Sequence, residues 1–183
     1  MKRLIINADD FGRHRLINRA VERGFAEGCL RSATLMPGGR AFDSAVAIAR
    51  SNRELGVGIH FTLVNGFPVL PPGEIPSLVT AEGVFCPDHN AFIKRLATGR
   101  VNFEEVRSEL AAQLEKFRRS GLEPSHADSH QHMHTLPGII DIVLDLAMAS
   151  GIKALRMPKT PIFCGKLRGP GQLVGRLGLR TLA

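Results

Sequence analysis

The order of apolar residues along the chain restricts its fold more than any other feature. Short apolar runs at 4–8, 32–36, 56–61 and 153–156 alternate with stretches in which apolar residues recur every three or four positions. Runs of that length are typical of buried strands, and the longer period is typical of helices that bury one face. The alternation predicts an α/β fold with a parallel sheet, and the length predicts one domain over 1–183.

The predicted helices follow from apolar spacing and from residues that favour helix ends. Asn102 is a predicted N-cap, with Glu105 completing a capping box, and Thr135 is the predicted N-cap of the last helix. In chain order, the apolar positions of the four predicted helices are Leu16, Ile17, Ala20, Val21 and Phe25; Phe42, Val46 and Ala49; Phe103, Val106, Leu110, Leu114 and Phe117; and Ile139, Ile140, Val143, Leu144 and Ala147.

Residues 64–100 interrupt this alternation. Five prolines fall between 64 and 90. A stretch of this length without clear helices or strands is typical of a functional lid or an inserted subdomain.

The net charge of +7 comes from the end of the chain, because 153–183 holds seven Lys and Arg and no acid. A basic tail at 159–183 predicts peripheral contact with an anionic membrane surface. The simpler interpretation, which we favour, is that this tail is one half of a charge pattern whose other half is absent.

Ligand-type side chains follow three of the predicted strands. Asp9 and Asp10 follow the first strand, His60 lies near the end of the third, and four histidines fall within 126–134, where a fourth strand ends near Ser129. Functional residues of parallel α/β folds lie at the carboxyl ends of strands. The three segments are therefore predicted to meet on one face.

A carboxylate with two imidazoles is typical of an open metal site, in which a bound water becomes a nucleophile. On a strand, positions 126 and 134 would lie roughly 26 Å apart, so only one or two of the clustered histidines can bind a given ion. One residue of the Asp9–Asp10 pair would bind metal and the other would take a proton from water. A spare histidine would protonate a leaving amine. Each element has a simpler alternative: a turn for the acidic pair, a structural His60, and a solvated loop for the histidine cluster.

Three segments resemble the motifs of the YdjC/ChbG-like carbohydrate deacetylases. They read NADDFG at 7–12, GIHFTL at 58–63 and HADSHQHMH at 126–134, and RMP at 156–158 is similar to a further family element. The resemblance covers about 1–160, and its finer pattern is similar to the hopanoid-biosynthesis-associated subgroup.

The resemblance implies a (β/α)-barrel-like fold, incomplete here because family members run beyond this length. It implies removal of an N-acetyl group from an acetylated amino sugar, and for the subgroup from an N-acetylglucosaminyl hopanoid lipid. It also implies one divalent cation, zinc or magnesium, and two imidazoles favour zinc. The implied metal ligands are Asp10, His60 and His130, and the implied base is Asp9.

Further roles are predicted for residues around the implied ligands. A protonated His132 or His134 assists departure of the amine. Asp128 and His126 orient a neighbouring ligand. Phe11 and Arg156 are candidate substrate contacts, with a core position as the alternative for Phe11.

Other classes of function are weighed against this hypothesis. A barrel-type metal-dependent phosphoesterase and a non-catalytic metal- or sugar-binding protein are the alternatives. Nucleic acid is not a predicted partner, because no basic patch interleaved with aromatic residues occurs. The start of the chain is too soon acidic for a signal peptide, and three scattered cysteines, Cys29, Cys86 and Cys164, suit a reduced compartment. We predict a cytoplasmic protein, with contact at the inner membrane surface and a homodimer as open options.

Overall fold

Four parallel strands form one sheet in the structure, a computed structural model that describes residues 4–158. The strands are β1 (Asn7–Phe11), β2 (Ser32–Leu35), β3 (Gly56–Phe61) and β4 (Ala127–Ser129), and they lie side by side in that order. Each new strand joins the same edge, which is the strand order of a (β/α) barrel rather than of a doubly wound sheet. The predicted α/β class and parallel sheet are confirmed.

Within residues 4–158, five helices connect and flank the strands. The apolar core between sheet and helices includes Leu35, Ile59 and Phe61 from the strands and Val21, Ala45, Phe117 and Val143 from the helices. The helices are α1 (Arg15–Ala26), α2 (Phe42–Ser51), α3 (His89–Ala97), α4 (Phe103–Arg119) and α5 (Ile139–Ala149), with 3₁₀ turns at Pro72–Glu74 and His130–Thr135.

The first strand begins three residues later than the apolar run predicted. Leu4 and Ile5 are 85% and 81% exposed, and pairing with β2 starts opposite Ser32, at Asn7. An apolar run predicts a strand only where a neighbour pairs with it, and within the described residues none pairs with 4–6. The acidic pair therefore lies inside β1 and not after its end.

Residues 64–88 run irregularly along the core before α3 begins. Ile75, Leu78 and Phe85 are buried, and the short helix α3, which the sequence analysis missed, is capped by Asp88 through the Ala91 backbone N–H. The carboxylate of Glu109 on α4 accepts backbone hydrogen bonds from 69 and 70, both at 2.9 Å. This stretch is thus fastened to α4. Its action as a lid stays a prediction.

The predicted cap at Asn102 is confirmed, but the predicted capping box and the predicted cap at Thr135 are wrong. Asn102 caps α4 as expected, by accepting from the Glu104 N–H, but Glu105 accepts from the Ser77 N–H instead of completing a capping box. Gly138, not Thr135, is the N-cap of α5. The Thr135 hydroxyl donates to the His132 carbonyl, which holds the preceding turn.

The predicted fifth strand is reduced to a single parallel bridge between Ala127 and Leu155. The predicted basic tail at 159–183 lies outside the described residues. Across 4–158, none of the helices combines the length and the apolar character that a membrane crossing requires.

Candidate metal centre

A β-bulge in β1 sets the directions of the Asp9 and Asp10 side chains. Ala8 pairs with Ala33 and Phe11 with Leu35, so β1 uses three steps where β2 uses two. Asp10 takes up the extra residue with a φ of 61°, a conformation that non-glycine residues seldom adopt. The bulge separates the directions of neighbouring side chains.

The bulge also decides the place of Phe11. Its side chain is fully buried in the core. The prediction that Phe11 contacts substrate is therefore wrong, and the alternative of a core residue is confirmed.

Three ligand atoms meet at the carboxyl ends of the strands. The Asp10 Oδ1 lies 2.8 Å from His130 Nδ1 and 3.2 Å from His60 Nε2, and the three residues offer ligand atoms within 4.8 Å of one another. Asp10 Oδ1 and His60 Nε2 are buried, and neither forms a well-directed hydrogen bond to any residue of 4–158. Buried polar atoms without partners are costly, and a shared cation would satisfy both. This triad therefore fits a divalent metal ion.

The electrostatics of the triad favour positive charge at its centre. Burial would lower the pKa of His60, but the nearby carboxylates of Asp10 and Asp128 outweigh burial and raise this pKa to about 9. Burial likewise opposes ionisation of Asp10, yet the two imidazoles hold its pKa well below the usual range. In the metal-free protein, protons occupy the charge position that a metal would take.

Strand register places Asp128 beside His60. The two residues are Cα partners across β3 and β4, and His60 Nδ1 lies 2.5 Å from Asp128 Oδ1. The other carboxylate oxygen accepts from the Thr34 hydroxyl and the Arg156 guanidinium, both at 3.3 Å. A carboxylate on the far nitrogen fixes the ring so that Nε2 faces the site. This contact agrees with the predicted orienting role of Asp128.

Asp9 is linked to the triad through Arg156 and Asp128, and two side chains hold its carboxylate. Arg156 Nη1 donates to both carboxylate oxygens, at 2.8 and 2.9 Å, and the Asn7 amide donates to Oδ1 at 2.8 Å. Arg156 was predicted to contact substrate, but its charge is already engaged by Asp9 and Asp128. It joins the candidate base to the carboxylate that orients His60.

The other three histidines of 126–134, which are His126, His132 and His134, have different environments. His134 is 1% exposed, its Nδ1 contacts the Ser129 hydroxyl at 2.6 Å, and its Nε2 contacts the Arg156 carbonyl at 2.7 Å. Both ring nitrogens are occupied, so the predicted role of His134 as proton donor is wrong. His132 keeps a buried Nδ1 without a partner in 4–158, and burial lowers its pKa.

His126 lies at the opposite end of β4 from the triad. Its ring contacts Ser125, Ser32 and Asn7 and no metal ligand. The prediction that His126 orients a ligand is wrong, because His126 lies just before β4 whereas the candidate ligand His130 lies just after it. Its link to the site runs through Asn7, which binds Asp9.

The turn after β4 separates His130 from His132. Gln131 and His132 both have positive φ, 53° and 59°, so the chain reverses sharply at the candidate ligand. Left-handed residues in succession cost energy and are typical of functional sites.

Arg13 is a site residue that the sequence analysis missed. Its Nη1 lies 3.2 Å from Asp10 Oδ2 and 3.2 Å from His130 Nε2. The only available signal was its position directly after the NADDFG motif.

With these contacts established, similarity to known proteins identifies the chain's relatives. The sequence profile described as YdjC-like protein matches residues 3–181. The chain belongs to the YdjC-like protein family. The family resemblance drawn from the three motifs is confirmed, whereas the hopanoid subgroup stays a prediction.

Relatives of this YdjC-like chain include proteins described as carbohydrate deacetylases. One from Brevibacillus brevis is 41% identical over 145 residues, covering 79% of this chain and 55% of its own, and one from Homo sapiens is 37% identical over 158 residues, covering 85% and 48%. A crystal structure of a putative cellobiose-phosphate cleavage protein from Enterococcus faecalis superposes with a TM-score of 0.77 at 30% identity. That match covers 97% of this chain and 63% of the other.

The chain thus spans about half the length of the curated relatives it matches. The residues that the family profile matches, 3–181, contain the triad, Asp9 and the histidine turn.

Proposed function

We propose that this YdjC-like chain carries the metal-dependent active site of a carbohydrate N-deacetylase. The observation that supports the proposal most strongly is the triad of Asp10, His60 and His130, whose ligand atoms lie within 4.8 Å of one another next to a second, separately held carboxylate. The names of the relatives point to the same chemistry.

The triad would hold one divalent cation. Two imidazoles and one carboxylate are a donor set that favours zinc over magnesium. A cation bound there would polarise the acetyl carbonyl and lower the pKa of a water molecule.

Asp9 would accept the proton of the attacking water. Asp9 is not needed as a metal ligand, because Asp10, His60 and His130 already supply three ligand atoms. Arg156 and Asn7 instead hold its carboxylate in place. A base held in one orientation is ready at the moment of attack. Arg156 restricts the orientation of the Asp128 carboxylate in the same way as that of Asp9.

His132 would give a proton to the departing amine. Of the two candidates, only His132 has a ring nitrogen, Nδ1, without a hydrogen-bond partner among residues 4–158, since His134 is bonded at both nitrogens. Burial lowers the pKa of His132, which makes its protonated ring a stronger proton donor. The products would be acetate and a free amine on the sugar.

The substrate would be an acetylated amino sugar, and an N-acetylglucosaminyl hopanoid lipid is the specific candidate. A lipid-linked sugar would give the basic residues of 159–183 a use at the inner membrane surface of the cytoplasm. The homodimer also remains part of the proposal.

Acetate release from N-acetylglucosamine conjugates tests the function. With zinc-loaded protein, we expect turnover by the wild type, a fall in kcat of at least about 10²-fold in Asp9→Asn, and unchanged metal content. Asp43→Asn, an exposed carboxylate on α2, serves as the control and should keep wild-type activity.

The outcomes separate the alternatives. Equal rates in wild type and Asp9→Asn would remove Asp9 from the base role. Phosphate ester hydrolysis with more than one tightly bound metal would indicate a phosphoesterase. Full metal occupancy without turnover of any acetylated sugar would indicate a binding protein.

A further inference from the structure

Strand β2 carries two hydroxyl side chains that have no role in the chemistry described so far. Its residues Ala33 and Leu35 are buried in the apolar core. Ser32 and Thr34 alternate with them, so the two hydroxyls share the opposite face of the strand, and Thr34 is fully buried there. The inward face of a (β/α) barrel is ordinarily filled by branched apolar side chains. Buried hydroxyls in this place therefore need hydrogen-bond partners.

Both hydroxyls contact the side-chain amide of Asn7. Asn7 and Ser32 are Cα partners across β1 and β2, and Ser32 Oγ lies 2.6 Å from Asn7 Oδ1. The amide nitrogen lies 2.8 Å from Asp9 Oδ1 and 3.3 Å from Thr34 Oγ1. The amide therefore lies between β2 and the carboxylate of the candidate base.

The carboxylates fix the direction of every hydrogen bond in this group. An ionised carboxylate only accepts, so the Asn7 nitrogen faces Asp9 and the Asn7 oxygen faces Ser32, whose hydroxyl must donate. The Thr34 hydroxyl has one proton, which it donates to Asp128 Oδ2 at 3.3 Å, and it accepts the amide N–H through a lone pair. All of these donors point toward the two carboxylates.

His126 is a second neighbour of the amide oxygen. Its Nε2 lies 3.3 Å from Asn7 Oδ1, and its Nδ1 lies 2.9 Å from the Ser125 hydroxyl. Gly58 makes room for the ring, because a Cβ there would lie 2.7 Å from two of the ring carbons. A contact of 3.3 Å is weaker than a hydroxyl bond of 2.6 Å, so Ser32 is the principal donor to Asn7.

The amide makes the two oxygens of Asp9 different, which Arg156 alone does not do. Arg156 Nη1 contacts both oxygens at nearly equal distances, 2.8 and 2.9 Å. The Asn7 amide contacts Oδ1 only. Among residues 4–158, Oδ1 thus has two donors and Oδ2 has one, which leaves Oδ2 with more capacity to accept a proton.

We infer that Ser32 and Thr34 are positioning residues that act on the candidate base through Asn7. Ser32 fixes the amide, whose nitrogen then holds Asp9 Oδ1 and leaves Oδ2 to take the proton. Thr34 links the same amide to Asp128. The inference rests on the proposed function, in which Asp9 accepts the proton of the attacking water. It gives β2 a part in the reaction, although none of its four residues is a candidate metal ligand or base.

Variants that remove one hydroxyl at a time test the inference. Values of kcat and KM are measured with zinc-loaded chain for acetate release from the octyl glycoside of N-acetylglucosamine. Ser32→Ala and Thr34→Val should each lower kcat by about tenfold with KM and zinc content unchanged. Ser32→Thr and Thr34→Ser, which keep the hydroxyl, should recover most of the loss. Ser125→Ala is the control, because its hydroxyl contacts the His126 ring instead of the Asn7 amide.

A double variant separates positioning from general damage to the fold. In the Asp9→Asn background, Ser32→Ala should cause no further fall in kcat, because the base that Ser32 positions is already absent. A further fall in the double variant, or an equal loss in Ser125→Ala, would overturn the inference. Melting temperatures identify misfolded variants, and Ser32→Cys then keeps the side-chain volume while weakening the donor.

Exchange of the Asn7 side-chain amide tests the hydrogen bonds without any turnover. Its N–H protons, assigned by their loss in Asn7→Ala, are followed by NMR. Their exchange with solvent should be at least about tenfold faster in Ser32→Ala than in wild type and Ser125→Ala. That result in a chain that releases no acetate would support the hydrogen-bond network while the proposed activity failed. Equal exchange in wild type, Ser32→Ala and Ser125→Ala would overturn the inference.

Discussion

At the scale of single residues, Arg156 is the side chain on which two carboxylates depend. One nitrogen, Nη1, reaches both oxygens of Asp9 and one of Asp128. Arg156→Gln should therefore lower kcat by about 10- to 100-fold while the triad keeps its metal. Arg107→Gln, which breaks an exposed ion pair with Asp145, is the control. Loss of metal from Arg156→Gln, or wild-type kcat, would contradict the positioning role.

Substitutions of His132 and His134, both in the turn after β4, should have different effects. His132→Gln should lower kcat by about 10²-fold with little change in the free energy of unfolding, because its Nδ1 has no hydrogen-bond partner among residues 4–158. His134→Gln should cost about 1–3 kcal/mol of that free energy, since it breaks buried bonds to Ser129 and Arg156. Urea denaturation and acetate release distinguish the two, and the reverse pattern would exchange their roles.

At the scale of elements, Glu109 joins α4 to the irregular stretch 64–88. Its fully buried carboxylate accepts the N–H groups of Val69 and Leu70 and the Gln113 amide. Glu109→Ala should lower the free energy of unfolding by about 1–3 kcal/mol and speed amide exchange at 69 and 70. Glu115→Ala, from an exposed pair with Arg119, should change the free energy by less than about 1 kcal/mol. Unchanged exchange in Glu109→Ala would mean that other contacts hold the stretch.

The elements also mark how far the sequence could predict this structure. Strand β3 has the predicted bounds, 56–61, because its apolar run is buried along nearly its whole length. The run at 4–8 predicted β1 only approximately, since strand bounds depend on pairing with Ser32. Helix α3 was missed because it follows a proline-rich stretch.

Long-range contacts limited the prediction of the site. Asp10, His60 and His130 could be identified because parallel strands bring their carboxyl ends together. The partners of His134 and Asp9 could not, because Arg156 lies 22 and 147 positions away in the chain. The β-bulge that buries Phe11 leaves no mark in the pattern of apolar residues.

At the scale of the whole molecule, pH should act on stability through the triad. His60 has a folded-state pKa of about 9 against an ordinary 6.5, so its contribution is complete below pH 6.5 and is lost as pH rises through 9. In metal-free protein this loss is on the order of 1–3 kcal/mol. Asp10 acts in the opposite sense: its lowered pKa contributes stability above its ordinary 3.8, which is lost as pH falls through the folded-state pKa.

Zinc should reverse the alkaline part of this dependence, because a metal binds the neutral imidazole. Melting temperatures of chelator-treated and zinc-loaded protein are compared at pH 6.5 and 9, the ordinary and raised pKa values of His60. The rise in melting temperature caused by zinc should be larger at pH 9 than at pH 6.5. His60→Gln is the control, and its metal-free protein should lack the alkaline loss. An equal alkaline loss of melting temperature in metal-free wild type and His60→Gln would contradict the assignment of this loss to His60.

The central claim is that an acid from β1 and imidazoles from β3 and the turn after β4 share one ion. Anomalous diffraction from crystals grown with zinc measures this directly. We expect one strong peak per chain within bonding distance of Asp10, His60 and His130. A peak at other residues, or three ligands that remain empty while zinc binds elsewhere, would contradict the account.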